Sequence, residues 1–253
     1  MVLTHRHLDH CSDLAGFITA TRWIWGWDRP PVPVFAASGV REALGAVVDE
    51  GEAAGGHAGD ASASASRVGT GRAGAGAAGG SGGAGAGRTG GVRAGGVRAG
   101  GAGPGQAGAG GRRALGPVLT WHEVGDGDTV AIGPVEVRFS RTDHGPPTVA
   151  LRLDVAGRAL GYSADTGPAW PLAALGRDLD LALCEATYTV EHEGTASHMS
   201  ARQAGAAARA ARARRLVVTH RWPSVDPAAV LAEATEAFGA PAVAASPGRG
   251  FSL

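Results

Sequence analysis

Thr4-His5-Arg6-His7-Leu8-Asp9-His10 is the most chemically dense segment of the chain. Residues 2–4 before it read as the end of a buried strand. Along an extended segment, side chains two apart share one side, so His5 and His7 aim at one point. A turn into a helix expected at 13–25 swings Asp9 and His10 to a second point beside the first. Four ligand-type side chains within six residues are dense for chance, and a His-rich start with no site accounts for them less well.

Outward from this cluster the composition breaks. The chain has 253 residues, 43 glycines and a net charge of zero, and every one of its 23 basic residues is Arg. Lys and Asn are absent, as a GC-rich coding sequence produces, so Arg abundance is weak ground for nucleic-acid binding. Residues 51–116 carry 26 of the glycines, and from residue 61 onward they include seven Arg and no acid. GGVRA at 90–94 repeats at 95–99. With almost no large apolar side chain to offset the entropy of ordering, 51–116 is expected to be a disordered, passive insert. The arginines could also bind RNA phosphates, the less favoured reading. The remainder is acidic. Residues 1–50 and 117–253 read as two parts of one domain large enough to bury a core.

The charge balance, the two cysteines and the lack of an apolar run of about 18 residues exclude a membrane span and a disulfide-scaffolded secreted domain. With no signal-peptide h-region, a cytoplasmic location is expected.

Strands are expected at 32–36, 118–124, 129–132, 135–140, 148–155, 159–163, 180–184, 216–219 and 240–244, with Ala156-Gly157-Arg158 joining two of them as a hairpin. Helices are expected at 40–48 and 227–238, and from Ser200, whose Ser-Ala-Arg-Gln start is a capping box, to Arg214. Hairpins followed by strand–helix alternation give an α/β layered fold, a mixed sheet with outer helices. His144, Asp165 and His220 each fall at a strand end, and strand ends collect along one rim where sites are built. Each alone is more often structural. Together with the N-terminal cluster they point to metal.

These segments resemble a metallo-β-lactamase-fold hydrolase of the short ribonuclease Z-like phosphodiesterase branch. Residues 4–10 match its HxHxDH motif, Tyr162-Ser163-Ala164-Asp165-Thr166-Gly167 its SGDTG-like segment, and Leu183-Cys184-Glu185-Ala186-Thr187-Tyr188 its HEATF-like strand. Ser197-His198-Met199-Ser200 resembles its histidine-led helix and Val217-Val218-Thr219-His220 its last ligand strand. The resemblance covers both parts of the domain but not the insert, and implies an αββα sandwich. Such relatives place about two strands before HxHxDH, so the first strands are expected to be missing here through a misplaced start.

The resemblance further implies two divalent metal ions. One would take His5, His7 and His144, the other Asp9, His10 and His220, with Asp165 bridging. Zinc suits these N and O ligands, and Mn2+ or Fe2+ could occupy them. Two metals about 3.5–4 Å apart can share a hydroxide that attacks phosphorus. In that scheme Asp9 orients the nucleophile, His198 protonates the leaving oxygen, and Glu185 orients His198 or a metal ligand or else faces water. The implied substrate is a phosphodiester, an RNA 3′ end or a cyclic nucleotide. The tRNA-gripping arm of some relatives is not recognisable, which favours the smaller substrate. A homodimer is implied by analogy. Two alternatives remain, a lactone or thioester hydrolase of the same fold and a truncated inactive copy.

Other features read as structural. The tryptophans at 23, 25 and 27 are expected in core or lid packing, His57, His122 and His192 as solvated, and Cys11 as a small buried residue. Arg209, Arg212, Arg214 and Arg215 are expected on a solvated helix face.

Overall fold

Two short parallel pairings hold the N-terminal motif in place. The protein is described by a computed structural model over residues 1–21, 29–45 and 118–253. The expected insert at 51–116, His57 and the tryptophans at 23, 25 and 27 lie outside the described residues. Strands β1 (Val2–Leu3), β2 (Val32–Ala36) and β3 (Leu119–Glu123) form a parallel sheet in that order. Its register sets Val2 opposite Phe35 and Phe35 opposite His122. His122, expected in solvent, is half-buried and stacks on Phe35 with ring centroids 5.0 Å apart.

After β1 the chain is helical sooner than expected. Helix α1 (Leu8–Cys11) already carries Asp9 and His10, and α2 (Asp13–Thr19) follows it directly. A short α3 (Val40–Ala43) follows β2. The larger sheet contains β4 (Thr129–Ile132), β5 (Val135–Arg141), β6 (Val149–Val155), β7 (Arg158–Tyr162), β8 (Leu181–Glu185), β9 (Leu216–Thr219) and β10 (Val243–Ala244). Its order is β10-β9-β8-β7-β6-β5-β4. Pairing is antiparallel from β4 to β7 and parallel from β7 to β10. The sheet is therefore mixed, as the sequence led one to expect. The β6–β7 hairpin turns on Ala156 and Gly157, both at positive φ (48° and 75°). Two left-handed residues make the turn whose twist matches that of the strands.

Helices α4 (Ala201–Ala210) and α5 (Pro227–Phe238) cover one face of the larger sheet. The expected capping box is present: Ser200 Oγ accepts from the Gln203 N–H, and Gln203 Oε1 accepts from the Ser200 N–H. α4 stops four residues short of Arg214. Arg212 turns left-handed (φ 53°), and the Arg214 N–H is taken by the Leu179 carbonyl. Among the four arginines expected on the helix face, Arg209 alone lies on it. Arg212 and Arg214 instead pair with Asp178 and Asp180.

Alternation along the strands separates two cores. Val149 and Leu151 of β6 join Val137, Phe139, residues of the smaller sheet and Leu14 and Ile18 of α2. Ala150, between them, joins Cys184, Leu216, Met199 and the inner faces of α4 and α5. The layering is helix–sheet–sheet–helix. It is the αββα sandwich expected from the motif resemblance. No helix among the described residues is long and apolar enough to cross a membrane.

At Gly205 the helices α4 and α5 nearly touch, and a Cβ there would lie 2.5 Å from the Ala234 carbonyl and 2.9 Å from the Ala237 Cβ. Gly205→Ala gains about 1 kcal/mol of helix propensity and loses about 1–3 kcal/mol to overpacking against backbone. A net loss is expected, read as a lower urea midpoint. A stabilised variant would show that the helices can part at this point.

Candidate metal centre

Strand direction brings the ligand-type residues to one rim. β5 and β7 both run antiparallel to β6, and β8 and β9 run parallel to β7. The C-terminal ends of β5, β7, β8 and β9 therefore face the same way. His144, Asp165, Glu185 and His220 stand at those ends. The Val149 N–H donates to the Thr4 carbonyl at 3.0 Å, which ties the start of the HxHxDH segment to β6 and brings His5 to the same rim.

There the side chains converge. His5 Nε2 lies 3.2 Å from His7 Nδ1, and His144 Nε2 lies 3.3 Å from the same His7 nitrogen. Asp165 Oδ2 is 3.4 Å from His5 Nε2, 3.3 Å from His10 Nε2, 3.5 Å from His220 Nε2 and 4.0 Å from His144 Nε2. Asp9 Oδ2 is 3.2 Å from His10 Nε2 and 3.8 Å from His220 Nε2. The potential ligand atoms fall into His5-His7-His144-Asp165 and Asp9-His10-His220, with the Asp165 oxygen within reach of both, and a third overlapping set joins Asp165, His198 and His220.

Three observations show that these residues fit divalent ions. A tetrahedron with apices about 2.0–2.1 Å from zinc has edges of about 3.3–3.4 Å, close to the spacing of the first group. His7 Nδ1 has two nitrogen neighbours, His5 Nε2 and His144 Nε2, and one proton there can serve only one of them, whereas a cation between the three is ligated by all of them. Finally, His10 Nε2 and Asp165 Oδ1 are buried with no hydrogen-bond partner, a costly condition without a ligand.

Outer partners fix the imidazoles from behind. The His144 Nδ1 hydrogen-bonds the Ser197 carbonyl (3.1 Å) and so carries the proton, leaving Nε2 bare. His220 Nδ1 meets Thr187 Oγ1 at 2.9 Å, and that hydroxyl donates to Glu185 Oε2 at 2.6 Å. Thr187 can then only accept from His220, which again turns a bare Nε2 to the cluster. Thr4 Oγ1 lies 3.1 Å from His5 Nδ1.

Glu185 does not face water. It is fully buried and accepts at Oε1 from the Thr166 N–H (2.6 Å) and His198 Nδ1 (3.0 Å), and at Oε2 from Thr187 and the Met199 N–H (3.2 Å). Through these contacts it touches His198 directly and reaches His220 through one hydroxyl. His198 brings a ring nitrogen within 4.8 Å of the Asp165 and His220 ligand atoms.

Charges follow this geometry. Burial pushes the Asp165 carboxyl up, but the His10 and His5 imidazoles outweigh it and hold the group well below the usual carboxylate range. Burial dominates at His5 and lowers its pKa, with Asp165 offsetting only part of the effect. At His10 burial is outweighed by Asp165 and Asp9, and at His198 by Glu185 first, so both are raised.

Two ligand-bearing turns use left-handed backbone without glycine, at Ala164 (φ 50°) and His220 (φ 56°). The motif that residues 162–167 resemble has glycine where Ala164 stands. Such residues cost roughly 1–3 kcal/mol each and gather at functional sites.

Several supporting residues escaped the sequence reading. Asp143 accepts from the Gly167 N–H (2.5 Å), Thr166 Oγ1 (2.8 Å) and the Ala169 N–H (3.0 Å), clamping the loop after Asp165. A Cβ on Gly167 would meet that carboxylate at 2.8 Å. Thr187 was visible in principle, since it stands two residues after Glu185. The Ser197 carbonyl carries no sequence signal.

Residues 104–221 match the family described as the beta-lactamase superfamily domain. An uncharacterised protein of Mycobacterium leprae is 34% identical over 130 residues, covering 51% of this chain and 46% of that protein. A ribonuclease Z of Myxococcus xanthus is 37% identical over 113 residues, covering 43% of this chain and 36% of that protein. The chain thus spans less than two thirds of the length of the curated relatives it matches. The crystal structure of the metallo-β-lactamase-fold protein YhfI from Bacillus subtilis superposes with a TM-score of 0.64 at 16% identity, covering 98% of this chain and 75% of that one. The fold is therefore that of the metallo-β-lactamases. Over the matched segments the chain is similar to ribonuclease Z-like members of that superfamily.

Glu185→Gln would set an amide N–H2 against two of the four donors that Glu185 now accepts from. Leaving a buried donor unsatisfied costs about 1–3 kcal/mol, and the variant should lose stability in that range by denaturant titration. Unchanged stability would show that the four hydrogen bonds are not jointly required.

Proposed function

We propose that the chain is a dinuclear zinc phosphodiesterase acting on RNA 3′ ends or cyclic nucleotides. The observation that carries this reading is the placement of His198, held by buried Glu185 at the edge of a two-group ligand cluster. Similarity to proteins named ribonuclease Z supports phosphorus chemistry.

In this reading His5, His7 and His144 would hold one ion and Asp9, His10 and His220 the other, with Asp165 available to both. Two divalent ions there would supply an activated water and stabilise charge on the attacking and leaving oxygens. The rest falls to the chain. Asp9, the most exposed of the ligand carboxylates (68% of its side chain), orients the attacking water. His198 keeps one nitrogen on Glu185, which favours its protonated form, and delivers a proton from the ring to the departing oxygen. Glu185 restrains the ring during that transfer, and Thr187 keeps His220 in the matching tautomer.

His198→Ala should lower turnover of bis(4-nitrophenyl) phosphate by about 10²–10⁴-fold, the usual weight of general acid–base catalysis, and should keep its bound metal by elemental analysis. Full turnover in the variant would remove His198 from the mechanism. Hydrolysis of a lactone but not of the diester by the parent chain would favour carbon-ester chemistry instead.

A further inference from the structure

Beside the cluster lies a cavity of about 510 Å3, lined by two segments that leave the ligand-bearing strands and by the first turns of α5. Tyr188 and His192 come from the segment after β8, and Trp222, Ser224 and Asp226 from the segment after β9. Tyr188 follows Thr187, and Trp222 stands two residues after His220, so both walls are fixed to the site by covalent connection. The Tyr188 ring lies 6.2 Å from His198, which itself lies 5.2 Å from His220.

The lining has a definite chemistry. Tyr188 and Trp222 stand with ring centroids 6.2 Å apart and planes tilted by 32°, and Trp222 is 51% exposed, unusual for so large a ring. Parallel stacking on both rings needs only a slight opening of that gap. Three carboxylates line the cavity, Glu191, Asp226 and Glu233, and no Arg. Glu233 is spent on the Val190 N–H, and Asp226 uses Oδ1 on the Ala228 N–H. Arg221 turns away to the carbonyls of Trp222, Pro223 and Val225.

We infer that this cavity receives the nucleobase of the substrate, stacked on Tyr188 and Trp222, and that it selects bases bearing an exocyclic amine. The inference rests on the phosphodiesterase reading. A lining of carboxylates repels phosphate, so the phosphodiester stays at the metal cluster while its uncharged base enters. Carboxylates only accept hydrogen bonds, as they do from amine-bearing base edges elsewhere. An adenine or cytosine amine matches them, whereas the uracil carbonyl in the same position faces them with a second acceptor.

The experiment uses the full chain and measures two quantities. Binding of adenosine, uridine and choline is followed by titration calorimetry, and kcat/KM is measured for adenosine 3′,5′-cyclic phosphate and for methyl 4-nitrophenyl phosphate, which has no base. Adenosine should bind at least about fivefold more tightly than uridine, and Trp222→Ala should weaken adenosine binding by at least about fivefold, the lower end of base stacking. The ratio of kcat/KM between the nucleotide and the base-free diester should fall equally. Trp222→Phe should restore most of both, which separates stacking from misfolding. Equal binding of adenosine and uridine, tighter binding of choline, or an unchanged ratio would overturn the inference even if both diesters are hydrolysed. If neither diester is hydrolysed yet adenosine binding depends on Trp222, the base pocket stands and the phosphodiesterase reading falls.

Discussion

Mutual repulsion among bare ligand atoms is the constraint on which the structure depends. Five imidazoles and two carboxylates crowd one rim, with nitrogen and oxygen atoms 3.2–4.0 Å apart. Asp165 Oδ2 sits at their centre, close to four rings. A proton can relieve some of these contacts but not all, and each unrelieved one is expensive in a buried place. Positive charge held between the groups relieves them together. The αββα frame serves this arrangement by pointing four strand ends at one spot.

Support is layered outward from that spot. Glu185 joins the β7 turn through Thr166, the helix entry through Met199, His198 directly and His220 through Thr187. Asp143 plays a similar part for the loop that carries Asp165. These hydrogen bonds offset the left-handed strain at Ala164 and His220, which aims the ligands. One buried carboxylate thus couples the metal rim to the residue proposed to move the proton, and the aromatic cavity begins one residue further along the same strand exit.

Much of this was legible in the sequence because the fold and the rim are written in short-range patterns. The HxHxDH spacing sets His5 and His7 two apart on extended backbone, Asp9 and His10 ride on α1 just behind them, and His144, Asp165 and His220 are marked by standing after apolar strand runs. The hairpin at Ala156-Gly157 and the capping box at Ser200 are local chemistry and were readable for that reason. Longer-range effects were not. The early end of α4 depends on the Leu179 carbonyl and the acids Asp178 and Asp180, some thirty residues earlier in the chain. Whether Glu185 faced water or protein turned on β8 being buried on both faces, which only the sheet order decides. His122 was assigned to solvent because its partner, Phe35, is distant in sequence.

Metal content of the purified chain, measured by elemental analysis, is the most direct test. About two zinc, manganese or iron ions per chain are expected, as a two-metal hydrolase site requires, with their loss when Asp165 is replaced by Ala. A folded chain that carries no metal after incubation with zinc would contradict it.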